Sequence, residues 1–277
     1  MTTLLPGANT LVDPVSDPVT VEVEVGVLGP LEVRGAARPF ERAWSLDLVV
    51  YLAMHERGVT NDAWATALWP DRLMAAATVH TTVSAARRSL GPTASGEDHL
   101  PRHRGGLRLR PTVSTDWRRL RSLSARPGPA AWWAGLELVR GRPFEGLRSP
   151  DWVVLEGVGA TVEDGVVALA TKLAQHHLAR GEGRLAALAA RRGLLASPFD
   201  ERLYRLLLRS ADAEGHPSGV ERVMAELVQL VGGPRADARP VGALGPFEYQ
   251  LVHPETVDLY LALSRRRGAP GAIGSRQ

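Results

Sequence analysis

Between Thr78 and Arg110 the chain sets out short hydroxyls and guanidiniums in a pattern suited to reading a polyanion. Thr78, Thr81, Thr82 and Ser84 can each donate to or accept from the edge of a base or a phosphate oxygen, and Arg87 and Arg88 follow within one helical turn. Arg104, Arg108 and Arg110 come next, around Gly105-Gly106. Between Arg72 and Arg110 seven arginines (Arg72, Arg87, Arg88, Arg102, Arg104, Arg108, Arg110) face two acids (Glu97, Asp98), a local net of +5, against only +3 for the whole chain of 277 residues. Overall charge would not imply nucleic acid; its concentration here does. Arg87 and Arg88 would clamp phosphates, Arg104 at the glycine turn would enter a minor groove, and the hydroxyls would meet base edges. Against this stand plainer roles: Arg87 and Arg88 as a solvated helix face, and Arg108 and Arg110 as cations that keep an edge strand soluble.

The elements that would carry these side chains follow from local patterns. Thr60 is an N-cap for a helix over Asn61–Leu68, which Trp69-Pro70 closes. A second helix is predicted from about Ala75 to Leu90, with Val79, Val83, Ala86 and Leu90 facing a core and His80, Thr81, Thr82, Ser84, Arg87 and Arg88 pointing elsewhere. Leu100 to Pro111 reads as a hairpin turning at Gly105-Gly106 through positive φ angles, after which Leu107, Arg108, Leu109 and Arg110 alternate apolar and basic. Upstream, Val21, Val23, Val25 and Val27 alternate with Glu22, Glu24 and Gly26, and Leu31 to Arg34 follow Gly29-Pro30, so a strand, a turn and a strand precede a helix over Trp44–Glu56 that Gly58 stops. Helix, helix and hairpin in this order is the layout of a winged helix.

Beyond Ser114 the pattern is helical throughout. Leu173, Gly181 and Ala190 recur thirty-four residues later as Leu207, Gly215 and Met224, the tetratricopeptide period. Two copies cannot stand as a solenoid, so flanking helices around Asp116–Ser124, Ala131–Arg140, Asp151–Glu156 and Pro254–Arg265 must close the core. Between the copies, Ser197 is expected to cap a helix with Pro198 at its first position. The fold class is therefore α+β, an N-terminal winged-helix domain followed by an all-α tetratricopeptide-like domain. The expected division is a flexible leader over 1–20, the winged helix over 21–113, the helical domain over 114–267 and a flexible tail over 268–277.

Enzyme chemistry has little to work with. The chain has no cysteine, its one lysine, Lys172, follows no glycine loop, and no Gly-x-Ser-x-Gly elbow occurs. His176 and His177 diverge by about 100° on a helix, too far to share a metal easily, and His177 sits at a packing position of the repeat. His99 and His103, in the hairpin, suit hydrogen bonding or a phosphate better than a metal. Glu163-Asp164 and Asp200-Glu201 read as acids at helix N-termini. Trp132 and Trp133 cannot both face one helical core, which puts one of them between the domains or on an exposed partner-binding patch. No catalytic residue, cofactor or metal is expected, no small-molecule substrate is evident, and no run is long and apolar enough for a membrane helix.

Six segments carry a resemblance that spans Val21 to Arg265: Val27-Leu28-Gly29-Pro30-Leu31-Glu32-Val33, Tyr51-Leu52-Ala53, Ala67-Leu68-Trp69-Pro70-Asp71, Ala86-Arg87-Arg88-Ser89-Leu90-Gly91, Thr115-Asp116-Trp117 and Pro254-Glu255-Thr256-Val257-Asp258-Leu259-Tyr260. Their order and spacing resemble the actinobacterial SARP-type regulators, in which an OmpR-like winged helix precedes a bacterial transcriptional activator domain. The resemblance implies a cytoplasmic activator that binds promoter double-stranded DNA at direct repeats and engages RNA polymerase, the helical domain supporting that contact or homodimerisation. The chain also resembles activator-like modules at the C-terminal ends of large membrane-anchored actinobacterial proteins, for which residues 1–20 would be the tether's remnant and the module the cytoplasmic part. Two departures bear on affinity. Ser84-Ala85-Ala86-Arg87-Arg88 stands where the family carries a Ser-Arg-Leu-Arg-Arg-like run, and Ala75-Ala76-Ala77-Thr78 offers little to a base edge. Each lost phosphate contact lowers the salt slope by about one unit, so weaker binding is expected. The alternative is a protein-interaction module whose helical groove holds a partner and whose winged helix no longer reads DNA.

Overall fold

The computed structural model describes residues 20–102, 105–232 and 251–268. The expected leader and tail fall almost wholly outside these, as do His103 and Arg104. The chain is mostly helical, with a small N-terminal sheet.

β1 (Val23–Gly26) pairs antiparallel with β2 (Glu32–Arg34), setting Val25 opposite Val33. Val23, Val25 and Val27 are fully buried while Glu22 and Glu24 keep partial exposure, so the period-two pattern places the valines on the core. A third strand, β5 (Val113–Thr115), lies parallel on the other side of β1, setting Val25 opposite Thr115. Sequence pattern did not anticipate it, since three residues cannot display an alternation.

α1 (Ala43–Met54) is buried at Ser45, at Asp47 and continuously from Leu48 to Ala53. A helix buried on nearly every side is a central element with neighbours all round it. It packs on α2 (Asn61–Leu68), α3 (Ala76–Leu90), β1 and β5. Thr60 caps α2, its hydroxyl accepting from the Ala63 amide at 3.2 Å. β3 (Val59–Thr60) and β4 (Gly106–Leu107) form a separate two-stranded ribbon with Thr60 opposite Gly106. The hairpin expected over Leu100–Pro111 is corrected accordingly: the strand is Gly106–Leu107, its partner is Val59–Thr60 from before α2, and Arg108 and Arg110 lie beyond its end. The two glycines divide their work. Gly105 takes the positive φ, +81°, whereas a Cβ on Gly106 would stand 2.4 Å from the Val59 carbonyl oxygen. Gly106 is thus needed for close approach of β3 rather than for the turn.

The helical half comprises α4 (Asp116–Ala125), α5 (Pro129–Leu136), α6 (Asp151–Leu155), α7 (Val158–Leu178), α8 (Gly183–Ala196), α9 (Glu201–Ala213), α10 (Pro217–Gly232) and α11 (Pro254–Gly268). α7–α8 and α9–α10 are successive helical hairpins. Leu173 and Leu207 are buried at matching places, as are Ala190 and Met224, and Gly181 and Gly215 take nearly the same left-handed φ, +73° and +69°. α4 and α5 pack together against α7 at one end, and α11 covers α9 and α10 at the other.

Three further expectations are corrected. α9 begins at Glu201, with Asp200 as its cap accepting from the Arg202 amide at 2.9 Å, so Ser197 precedes a turn and not the helix. Glu163 and Asp164 lie inside α7, where Asp164 pairs with Arg202 at 3.0 Å instead of facing a helix N-terminus. Trp132 and Trp133 both meet α7. Trp132 lies edge-on to His176 with the Lys172 ammonium 4.1 Å from its ring, and the Trp133 indole N–H donates to His177 Nε2 at 3.1 Å. An indole only donates, so His177 is the tautomer protonated at Nδ1, which donates to Glu182 at 2.6 Å and holds that carboxyl below the usual range.

Two buried carboxylates join the sheet and α1 to the helical half. Asp116 accepts from the Val27 and Leu28 amides at 2.8 and 3.2 Å and from Arg140 at 3.2 Å. Asp47, inside α1, accepts from the Arg148 and Ser149 amides at 3.0 and 3.4 Å, and burial raises its pKa. Nearby, Tyr51 packs edge-on against Trp152, while its hydroxyl and His55 both reach Glu156. Burial, then the Glu156 charge, pushes the Tyr51 phenol up to about 12.

Candidate nucleic-acid interface

α3 buries Thr82, Ala86, Ser89 and Leu90, with Val79 and Val83 at the margin. At 100° per residue, the opposite side of the helix carries Ala77, Thr81, Ser84 and Arg88, with His80 beside them, all exposed. No acid occurs from Ala76 to Leu90. The Thr81 hydroxyl donates to the Ala77 carbonyl at 2.6 Å, which leaves its lone pairs outward as acceptors. Ala75, at the N-cap, makes no side-chain cap. The Thr78 amide donates to the Ala75 carbonyl at 2.9 Å, and the two amides before it, of Ala76 and Ala77, are left to solvent or an incoming anion.

Several residues singled out from the sequence occupy other roles. Thr82 is 5% exposed and its hydroxyl donates to the Thr78 carbonyl at 2.9 Å, so it faces the core and cannot meet a base. Thr78 is half-buried one turn earlier. Arg87, with 18% of its side chain exposed, donates from Nε to the Leu100 carbonyl at 2.7 Å and stands 3.8 Å from Asp98. It ties α3 to the segment before β4, whereas Arg88 points to solvent with no ion pair among the described residues. Arg110 donates to the Asp98 carbonyl at 3.0 Å and to Glu97 at 2.8 Å, and Arg108 donates from Nε to the Glu56 carbonyl at 3.0 Å. Both acids of the basic stretch stand beside arginines, and Arg72, Arg88, Arg102 and Arg108, all exposed and with no ion pair among the described residues, carry its outward charge. Arg104 lies outside the described residues.

A hollow of about 430 Å³ opens beside the C-terminal end of α3, lined by Arg38, Ser84, Arg87, Arg88, Asp98 and Arg102 among others. Arg38 and His80 are the residues that sequence reasoning did not assign to the site. Arg38 arrives because its amide donates to the Ser89 carbonyl at 3.1 Å, laying residues 37–38 along the last turn of α3 from fifty residues upstream. No linear spacing could show that. His80 was within reach, since it lies one turn before Ser84 on the exposed side.

His99 is not a surface ligand. It is 2% exposed, bonds through Nδ1 to the Thr112 hydroxyl at 2.9 Å, and has its pKa lowered by burial, with Glu22 opposing from 3.8 Å. Among the described residues no group of three or more His, Asp or Glu side chains is placed to hold a metal, and no helix is long and apolar enough to cross a membrane.

The chain is similar in fold to Mycobacterium tuberculosis EmbR, whose structure was solved in complex with a low-affinity phosphopeptide. The match has a TM-score of 0.54 and 21% sequence identity, over 88% of this chain and 69% of that one. At that identity the likeness is one of fold. No protein-family model matches the sequence, and no curated protein matches it.

Proposed function

We propose that the protein is a DNA-binding transcriptional regulator in which residues 21–113 act as an OmpR-like winged helix and the outward side of α3 enters the major groove. The observation that carries this reading is that exposed side: His80, Thr81, Ser84 and Arg88, on a helix without a single acid. Hydroxyls and an imidazole can address base edges there, and Arg88, with Arg38 and Arg102 around the adjoining hollow, supplies cations for the backbone. The sequence resemblance to SARP-type activators and the fold likeness to EmbR support the same assignment. In this reading residues 114–267 form the tetratricopeptide-like activator domain, which contacts RNA polymerase or a second copy, and the protein works in the cytoplasm on promoter DNA.

A second reading, a protein-interaction module with weakened or lost DNA binding, draws on one specific feature. Arg87 and Arg110 are set against Asp98 and Glu97 within the protein, which leaves fewer cations for phosphates than the sequence advertises.

The two are separated by titrating fluorescein-labelled random-sequence duplex DNA with the protein at low and moderate salt, beside a His80→Ala/Thr81→Ala/Arg88→Ala variant. The regulator reading expects salt-sensitive binding that weakens at least about tenfold in the variant. Absence of binding at low salt would favour the interaction module.

A further inference from the structure

Among the described residues helix α8 packs on α7 and α9, with a smaller contact to α5, and its outer face at Leu185, Leu188 and Leu195 is left uncovered. Ala186, Ala189, Ala190 and Gly193 face the neighbouring helices, small residues that let the backbones come close. Outward stand Leu185, Leu188 and Leu195, 39%, 52% and 41% exposed, and helical rotation confines all three to an arc of about 80°. Phe199, in the turn that follows, is 55% exposed. Single exposed leucines are ordinary, but three on one face of one helix form a patch.

The charges on the helix that carries the patch are of one sign. Residues 183–196 include Arg184, Arg191 and Arg192 and no acid. Arg191 pairs with Glu226 and Arg192 reaches the Val139 carbonyl, whereas the guanidiniums of Arg184 and Arg222 make no ion pair among the described residues. Arg184, Arg191 and Arg222 also border a hollow of about 510 Å³ beside Ala187, and Glu214 there is engaged by the Arg184 amide at 3.0 Å.

We propose that this outer face of α8 docks an acidic amphipathic helix from a protein partner. Leucines at i, i+3 and i+7 of such a helix would cover Leu185, Leu188 and Leu195, and its flanking carboxylates would meet Arg184 and Arg222. A second copy of this chain suits the face poorly, because α8 against α8 would bring arginines onto arginines with no acid from either helix to pair them. Nucleic acid would satisfy the cations and leave the leucines wet. The surface belongs to the helical half, and its occupancy does not require α3 to read DNA.

The test uses the full chain and two fluorescein-labelled synthetic helices of about twenty residues, alike in leucine and alanine, one flanked by glutamate and the other by lysine. The glutamate peptide should bind saturably, at least about tenfold more tightly than the lysine peptide, and more weakly as salt rises. Leu188→Glu/Leu195→Glu should lower that affinity about tenfold with an unchanged thermal melt, since both side chains are exposed, and Arg184→Ala/Arg222→Ala should lower it without touching the leucines. Equal binding of both peptides, no binding of either, or indifference to both variants would overturn the proposal. So would a dimer in sedimentation velocity that Leu188→Glu/Leu195→Glu dissolves, which would assign the face to a second copy.

Discussion

Arg87 and Arg88 are neighbours of the same chemistry with opposite employment. The first spends its guanidinium on Leu100 and Asp98, and the second faces solvent. Arg87→Ala should therefore cost about 1 kcal/mol of stability, the worth of one such bond, while Arg88→Ala should change the melt by no more than about 0.5 kcal/mol. Comparing their thermal midpoints checks both. The sequence showed that both were cations near a helix end. It could not show which was tethered, because the partner is a main-chain carbonyl thirteen residues away and any residue type supplies one. His99 teaches the same lesson about burial. Its folded pKa is depressed below the ordinary value of 6.5, so its contribution is complete above that value and is lost as pH falls and only the unfolded chain takes up the proton. Melts between pH 7.5 and 5.5 should show the wild type losing more stability on acidification than His99→Gln, which has no imidazole to titrate. A wild type no more acid-sensitive than the variant would refute the buried neutral histidine.

At the scale of elements, the helix starting at Asn61 and the thirty-four-residue repeat were legible because each rests on local rules: a threonine cap, a glycine at each hairpin, small and apolar residues at fixed offsets. α3 was legible as a helix but not in its rotation. Its polar Thr82 and Ser89 lie on the buried side, satisfied by the Thr78 and Pro39 carbonyls, so a count of apolar residues alone turned the helix too far and put Thr82 outward. The start of α9 slipped for a related reason, since Ser197 and Asp200 both offer capping oxygens and the structure uses the second. Gly106 gives an element-level prediction. A Cβ there meets the Val59 carbonyl oxygen, so Gly106→Ala should cost about 1 to 3 kcal/mol and expose the β3–β4 ribbon to limited proteolysis, whereas Gly96→Ala, open on all sides though left-handed, should cost less. A Gly106→Ala protein as protease-resistant as wild type would show that β3 and β4 do not pair.

For the whole molecule, what positions α3 is the set of contacts that hold α1 between the sheet and the helical half. Asp116 is 2% exposed and takes two amides and a guanidinium at once, so Asp116→Ala leaves all three donors without their acceptor and should cost about 3 kcal/mol or more. Because Asp47 and the Tyr51–Trp152 packing join the same two halves, wild-type unfolding is expected as one cooperative calorimetric transition that Asp116→Ala shifts down or splits. Two separate transitions in the wild type would mean that the halves unfold independently. None of these contacts could be read from the sequence, since each joins residues about a hundred or, for Arg140, twenty-four positions apart. The outward side of α3 is proposed to read DNA. Its most direct test is the salt dependence of duplex binding measured for the wild type, Arg88→Ala and Arg87→Ala side by side. The proposed site predicts measurable binding whose slope against log salt falls by about one unit for Arg88→Ala, at an unchanged melt. Arg87→Ala should keep the wild-type slope at a lowered melting temperature. Wild-type protein that fails to bind at low salt, or an Arg88→Ala slope equal to wild type, would contradict it.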